Sequence, residues 1–111
     1  MSVNKTNPQW REQTQLVRGG THRSQFAETN EAIFMTSGYV YETAEQAQRA
    51  FKGEEERFIY SRFSNPTVSM FEERMRLLEG ATSCRATDTG MAAVWGALAA
   101  RLKAGNRLVA S

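Results

Sequence analysis

At 111 residues the chain is the size of one small domain, and 41% hydrophobic residues give it the means to bury a core. Its 14 basic and 12 acidic residues are interspersed and leave a formal net charge of +2, which argues against a dedicated nucleic-acid binder with a clustered basic face. A single cysteine, Cys84, excludes an internal disulfide framework and suits a reducing cytoplasm, while the longest mostly apolar run, Met91 to Ala100, is too short to span a bilayer.

The N-terminus, "MSVNKTNPQWREQTQ", is polar and carries no apolar signal core, so a cytoplasmic location is expected. Gln9 to Arg18 is helix-compatible, and Gly19 and Gly20 are placed to end the helix. Residues 21–32 show no clear period and read as an extended or irregular arm. "IFMTSGYVY" is β-prone and aromatic, interrupted by Gly38. Thr43 is an N-cap candidate with Gln46 completing a capping box, and Gly53 closes that segment. The run "RFIYSRFSNPT", residues 57–67, then leads to Asn65 as N-cap and Pro66 as first helical residue. Val68, Phe71, Met75 and Leu78 form an apolar stripe on the helix that follows, with Glu72, Glu73, Arg74, Arg76 and Glu79 on its wet face and Gly80 at its end.

The remainder parses as a strand over 82–86, a turn over 87–90, a helix from Met91 to Lys103 and a final strand in "NRLVAS". The helix is apolar nearly all round, which calls for cover on several sides. Ending on a parallel strand reads as a cut through a larger α/β domain, because such strands gain stability from neighbours and covering helices.

Two constellations carry chemistry. In "TDTGM" a turn at a helix start points backbone N–H groups outward with the positive end of the helix dipole behind them, a geometry that suits phosphate or carboxylate. Gly90 permits close approach, and the Thr89 hydroxyl adds a hydrogen bond. The plainer alternative is that Thr89 only caps the helix and Gly90 relieves a tight turn. Neither a dinucleotide fingerprint nor a P-loop is present, and the Asp88 carboxylate suits a nearby anion only if it points away. In the second constellation Tyr60 and Arg62 stand two apart, so an extended backbone places both on one side as a clamp for a phosphate dianion. Its alternatives are a strand with Phe58 and Tyr60 facing a core, or a stacking platform for single-stranded nucleic acid built from Phe58, Tyr60, Arg62 and Phe63.

Together, "YSRFSNPT" and "TGMAAV" resemble the Cys/Met-metabolism group of pyridoxal 5′-phosphate (PLP) enzymes, in which Y-x-R-x-x-N-P-T precedes a helix and then a strand ending in [ST]-G-M. Tyr60, Arg62, Asn65, Pro66, Thr67, Thr89, Gly90 and Met91 fall in register with that pattern, and the resemblance runs from about Thr14 to Ser111. Residues 14–41 look most like the branch of O-succinylhomoserine sulfhydrylases. The resemblance implies a fold-type I α/β protein with a mostly parallel sheet: residues 1–58 an arm and helices that contact a partner subunit, residues 59–111 the start of the cofactor domain. It implies PLP as cofactor, an amino-acid substrate and a homotetramer built from dimers, with neither nucleic acid nor membrane as partner. Tyr60 and Arg62 are lent across the dimer interface to the cofactor phosphate. Gly90 and Met91 cradle that phosphate with Thr89 at the hydroxyl position, and Tyr39 falls near an aromatic that approaches the substrate.

The implied reaction is replacement at the γ-carbon of an activated homoserine, with sulfide displacing succinate in the favoured branch. Alternatives are a cystathionine γ-synthase, a cystathionine or methionine lyase, or a non-catalytic interaction fragment. No lysine of the chain fits the covalent cofactor link, since Lys5, Lys52 and Lys103 read as exposed, so no catalytic residue is assigned and the chain alone is expected to be inactive. His22 lacks metal-ligating neighbours and reads as a surface or interface residue, Cys84 as a small buried hydrophobe in a strand, Trp95 as core, Trp10 as a local anchor, and "KGEEER" as a solvated turn.

Overall fold

A computed structural model describes the backbone of Ser2–Val3 and residues 9–110; Lys5 and the Ser111 end of the expected final strand lie outside the described residues. In chain order the elements are β1 (Ser2–Val3), α1 (Glu12–Arg18), β2 (His22–Arg23), α2 (Ala44–Phe51), α3 (Pro66–Leu78) and α4 (Gly90–Ala99). β1 and β2 pair antiparallel, with Ser2 opposite Arg23 and Val3 opposite His22.

The helix starts follow the side chains the sequence supplies. Thr43 Oγ1 accepts the Gln46 amide at 3.1 Å, while the Gln46 side chain accepts from Glu42 rather than from Thr43, a capping box displaced by one residue. Asn65 Oδ1 accepts from the Thr67 amide at 2.9 Å, with Pro66 in the first turn.

The packing that organises these elements lies between α1 and α3. Gly19 and Gly20 make it possible. A Cβ on Gly19 would stand 2.7 Å from Leu77 Cδ1, and one on Gly20 would stand 2.6 Å from Glu73 Cγ. Gly20 also has φ +67°, a conformation that costs an L side chain strain. Just beyond, buried Thr21 donates to the Arg18 carbonyl at 3.2 Å, tying off the helix, and accepts from Arg74 Nη2 at 3.3 Å. Arg74 also pairs with Glu31, and burial lowers its pKa.

These contacts revise the reading of α3. Met70, at 2% exposure, is its most deeply buried apolar side chain besides Pro66, whereas Val68 and Phe71 are exposed. The face turned to α1 is Met70–Glu73–Arg74–Leu77, at the same helical spacing as the expected stripe but rotated about the axis. Glu73 and Arg74 are half-buried rather than wet: the Glu73 stem covers Gly20 and its charge meets Arg76, while Arg74 reaches Thr21 and Glu31.

The expected strands over 82–86 and 106–110 do not form among the described residues, the β-prone run 33–41 contributes an isolated bridge from Gly38 to Tyr60, and α4 ends at Ala99 rather than Lys103. The mostly parallel sheet is therefore not seen in this segment. A parallel strand is held by hydrogen bonds to neighbours, and none of these stretches has a neighbouring strand to bond. For the same reason α4 stands uncovered: Met91 is 74% exposed and Trp95 72%, so Trp95 is not core here, and Cys84 is half-buried in an irregular stretch. The radius of gyration, 17.3 Å, exceeds the roughly 13 Å of a compact chain this long. Among the described residues no helix is long and apolar enough to cross a membrane.

Candidate functional site

Tyr60 and Arg62 do meet, but by a turn and not by strand alternation. The amides of Phe63 and Ser64 both donate to the Tyr60 carbonyl, at 2.9 and 3.1 Å, and curl residues 60–64. The curl lays the Arg62 guanidinium 5.3 Å from the Tyr60 ring centroid and 5.7 Å from that of Phe63. Cation–π contact holds the planar fork without consuming its N–H donors, and among the described residues Arg62 makes no ion pair. Both side chains are exposed. The result is a fixed cation beside a phenol, with donors left over for an oxyanion.

The turn is anchored from the arm. The Ser61 amide donates to the Ser37 carbonyl at 2.9 Å, the Ser61 hydroxyl donates to the Thr36 carbonyl, and Gly38 bridges to Tyr60. Asn65, 6% exposed, sits behind them. Its amide donates at 2.9 Å to both the Phe34 carbonyl and Ser61 Oγ, and reaches Tyr39 Oη at 3.5 Å. Thr67 Oγ1 accepts the Phe34 amide at 2.9 Å. Tyr39 stacks tilted on Phe58 with 5.8 Å between centroids, so this aromatic and the Tyr60 turn share one buried amide. The sequence marks Asn65 as a cap and, with Thr67, as a motif position, but does not reveal that either holds the arm, and it singles out neither Ser61 nor Phe34. Their partners lie far away in sequence, and no local pattern marks such pairings.

The second constellation lies at the start of α4. Thr89 Oγ1 accepts the Ala92 amide at 3.1 Å, which confirms the cap and leaves the hydroxyl proton free to donate. The amides of Gly90 and Met91 make no hydrogen bond among the described residues, as expected of first-turn donors. Open space surrounds Gly90: a Cβ there would meet nothing within 4 Å. Asp88 is exposed and makes no ion pair among the described residues. The turn before it is pinned to α3 by Glu72, which accepts from Arg85 Nη1 at 3.0 Å and from the Ala86 amide at 2.8 Å. No hydrogen bond, ion pair or ring contact joins this turn to the Tyr60–Arg62 pair among the described residues.

A cleft of about 450 Å³ between α1, α3 and the arm is lined by Arg18, Arg23, Arg74 and Glu31 among others. Two of its three cations are engaged: Arg74 by Glu31 and Thr21, Arg23 by the carbonyls of Glu28 and Thr29. Among the described residues no His, Cys, Asp or Glu cluster is arranged for a metal ion. His22 is half-buried, with Nδ1 lacking a partner.

The sequence pattern of the Cys/Met metabolism PLP-dependent enzymes matches residues 13–111. The chain belongs to that family. Its members use pyridoxal phosphate, and the family fold is type I. The segment is 58% identical over 95 residues to an O-succinylhomoserine sulfhydrylase of Mycobacterium tuberculosis, covering 86% of this chain and 23% of that protein. It is 42% identical over 98 residues to an O-succinylhomoserine sulfhydrylase of Pseudomonas aeruginosa (88% and 24%), and 36% identical over 97 residues to an L-methionine gamma-lyase of Porphyromonas gingivalis (87% and 24%). The chain thus spans about a quarter of the length of the curated relatives it matches. The chemistry of the donor set fits the phosphate of the cofactor: a guanidinium beside a phenol on one turn, two unpaired amides with a free hydroxyl proton on the other.

Proposed function

We propose that this chain is a segment of a PLP-dependent γ-replacement enzyme that joins O-succinyl-L-homoserine and sulfide into homocysteine and succinate. In that reaction the bond from Cγ to the ester oxygen breaks, a bond from Cγ to sulfur forms, and succinate leaves as the carboxylate. When bound, pyridoxal phosphate supplies the electron sink that makes the substrate carbons labile. The residues of this segment serve to bind and orient. Tyr60 and Arg62 grip the phosphate from one side, donated by the arm-bearing subunit to its neighbour in a dimer-based tetramer. The Gly90 and Met91 amides hold it from the other side at the positive end of α4, with the Thr89 hydroxyl donating beside them. Tyr39 faces the substrate. Residues 1–58 act as the arm and 59–111 begin the cofactor domain of a cytoplasmic protein. The segment contributes no catalytic residue and is inactive alone.

The observation that carries this reading is the Arg62 guanidinium laid beside the Tyr60 ring on a turn buttressed by the arm. The 58% identity to a named sulfhydrylase favours sulfide as nucleophile over the lyase reaction suggested by the relative at 36%. The test is to supply the full-length protein carrying this segment with O-succinyl-L-homoserine and either sulfide or cysteine. Homocysteine and succinate from sulfide are expected. Cystathionine from cysteine, or ammonia release without added nucleophile, would assign a sister reaction instead.

A further inference from the structure

We infer that Ser61 is a positioning residue through which the arm sets the shape, and so the phosphate affinity, of the Tyr60–Arg62 clamp; this rests on the clamp reading above. Ser61 stands between the two clamp residues without itself offering a group to a ligand, because both hydrogen-bonding roles of its hydroxyl are taken. It donates to the Thr36 carbonyl and accepts from Asn65 Nδ2 at 2.9 Å. Its amide is taken too, by the Ser37 carbonyl at 2.9 Å. One residue therefore ties the turn forward to the α3 N-cap and sideways to two successive arm carbonyls.

The Asn65 amide that meets Ser61 also meets the Phe34 carbonyl and lies 3.5 Å from Tyr39 Oη. The arm segment 34–39, the α3 start and the clamp turn accordingly share one set of hydrogen bonds. Removing the Ser61 hydroxyl unties the turn from the exposed Thr36 carbonyl and leaves the part-buried Asn65 amide with Tyr39 Oη at 3.5 Å in place of a 2.9 Å partner, which frees the 60–64 turn to move. Arg62 rides on that turn, held laterally by two rings among the described residues.

The test compares cofactor with and without its phosphate. In the full-length protein carrying this segment, Ser61→Ala is expected to weaken pyridoxal 5′-phosphate binding about tenfold, the upper range for one lost hydrogen bond. Binding of pyridoxal, which has no phosphate to grip, should stay unchanged, and Ser61→Thr, which keeps the hydroxyl, should restore phosphate affinity. Ser61→Cys, with a weaker donor of similar shape, serves if the alanine variant does not fold. Equal weakening for both ligands, or no weakening for either, overturns the positioning role. Arg62→Ala is the control: if it leaves phosphate affinity intact, the clamp reading itself fails, whereas loss in Arg62→Ala with none in Ser61→Ala removes the Ser61 inference alone.

Discussion

Asn65 and Phe34 stand 31 positions apart, yet the Asn65 amide donates to the Phe34 carbonyl at 2.9 Å while Thr67, two residues on, accepts the Phe34 amide at the same distance. Both backbone polar groups of one arm residue are thus satisfied by the first turn of α3. Asn65 caps that helix with its oxygen and holds the arm with its nitrogen, so helix start and arm docking share one side chain.

Separate substitutions can split the two jobs. Asn65→Ala should cost about 2–3 kcal/mol, combining a lost cap with unpaired buried groups. Asn65→Asp keeps the cap oxygen but not the donors, and should release the arm while sparing the helix. Amide hydrogen exchange reads the difference: faster exchange at Phe34 and Ser61 in both variants, but at the start of α3 only in the alanine variant.

Much of this was legible in the sequence, and the misses have physical causes. Thr43, Asn65 and Thr89 all cap as their residue types predict, because capping is decided within a few residues. The buried face of α3 was not legible. Its apolar spacing supports Val68–Phe71–Met75–Leu78, but Gly19 and Gly20, just after α1, fit against Leu77 and Glu73. Same-side placement of Tyr60 and Arg62 is expected from strand alternation, but a turn over residues 60–64 does the placing. The strands over 82–86 and 106–110 failed because strand propensity needs a neighbouring strand to act on.

Close approach at the glycines is open to measurement. Gly20→Ala combines a positive φ with a Cβ within 2.6 Å of Glu73 Cγ, and should destabilise by at least about 1–3 kcal/mol. Gly38→Ala, with open space and no positive φ, should change stability by less than about 0.5 kcal/mol. Chemical denaturation of the two variants side by side gives the comparison.

Glu73 sets an acid dependence. Hydrogen bonding from Arg76 holds its pKa below the ordinary carboxylate value, against the opposing effect of burial. A carboxylate whose folded pKa is depressed contributes stability that is present above its unfolded pKa and is lost as pH falls through the folded value. Because a third of the side chain meets solvent, the contribution is at most about 1 kcal/mol. Glu73→Gln should lower stability at neutral pH and flatten the fall below the ordinary glutamate pKa, as followed by thermal unfolding across pH.

At α4 Thr89 caps the helix, and in the proposed site it also donates to the cofactor phosphate. Thr89→Ala should loosen the first turn by about 1 kcal/mol and remove one donor to the phosphate, whereas Thr89→Ser keeps both functions. Cofactor affinity in the full-length protein should follow the order threonine, serine, then alanine.

The central claim, that Tyr60 and Arg62 grip the cofactor phosphate, is tested most directly by titrating pyridoxal 5′-phosphate into Arg62→Ala in the full-length protein. A charge-assisted fork is worth about 1.5–3 kcal/mol, so affinity should fall at least tenfold, with pyridoxal binding unaffected. An affinity equal to that of the unaltered protein would contradict the account.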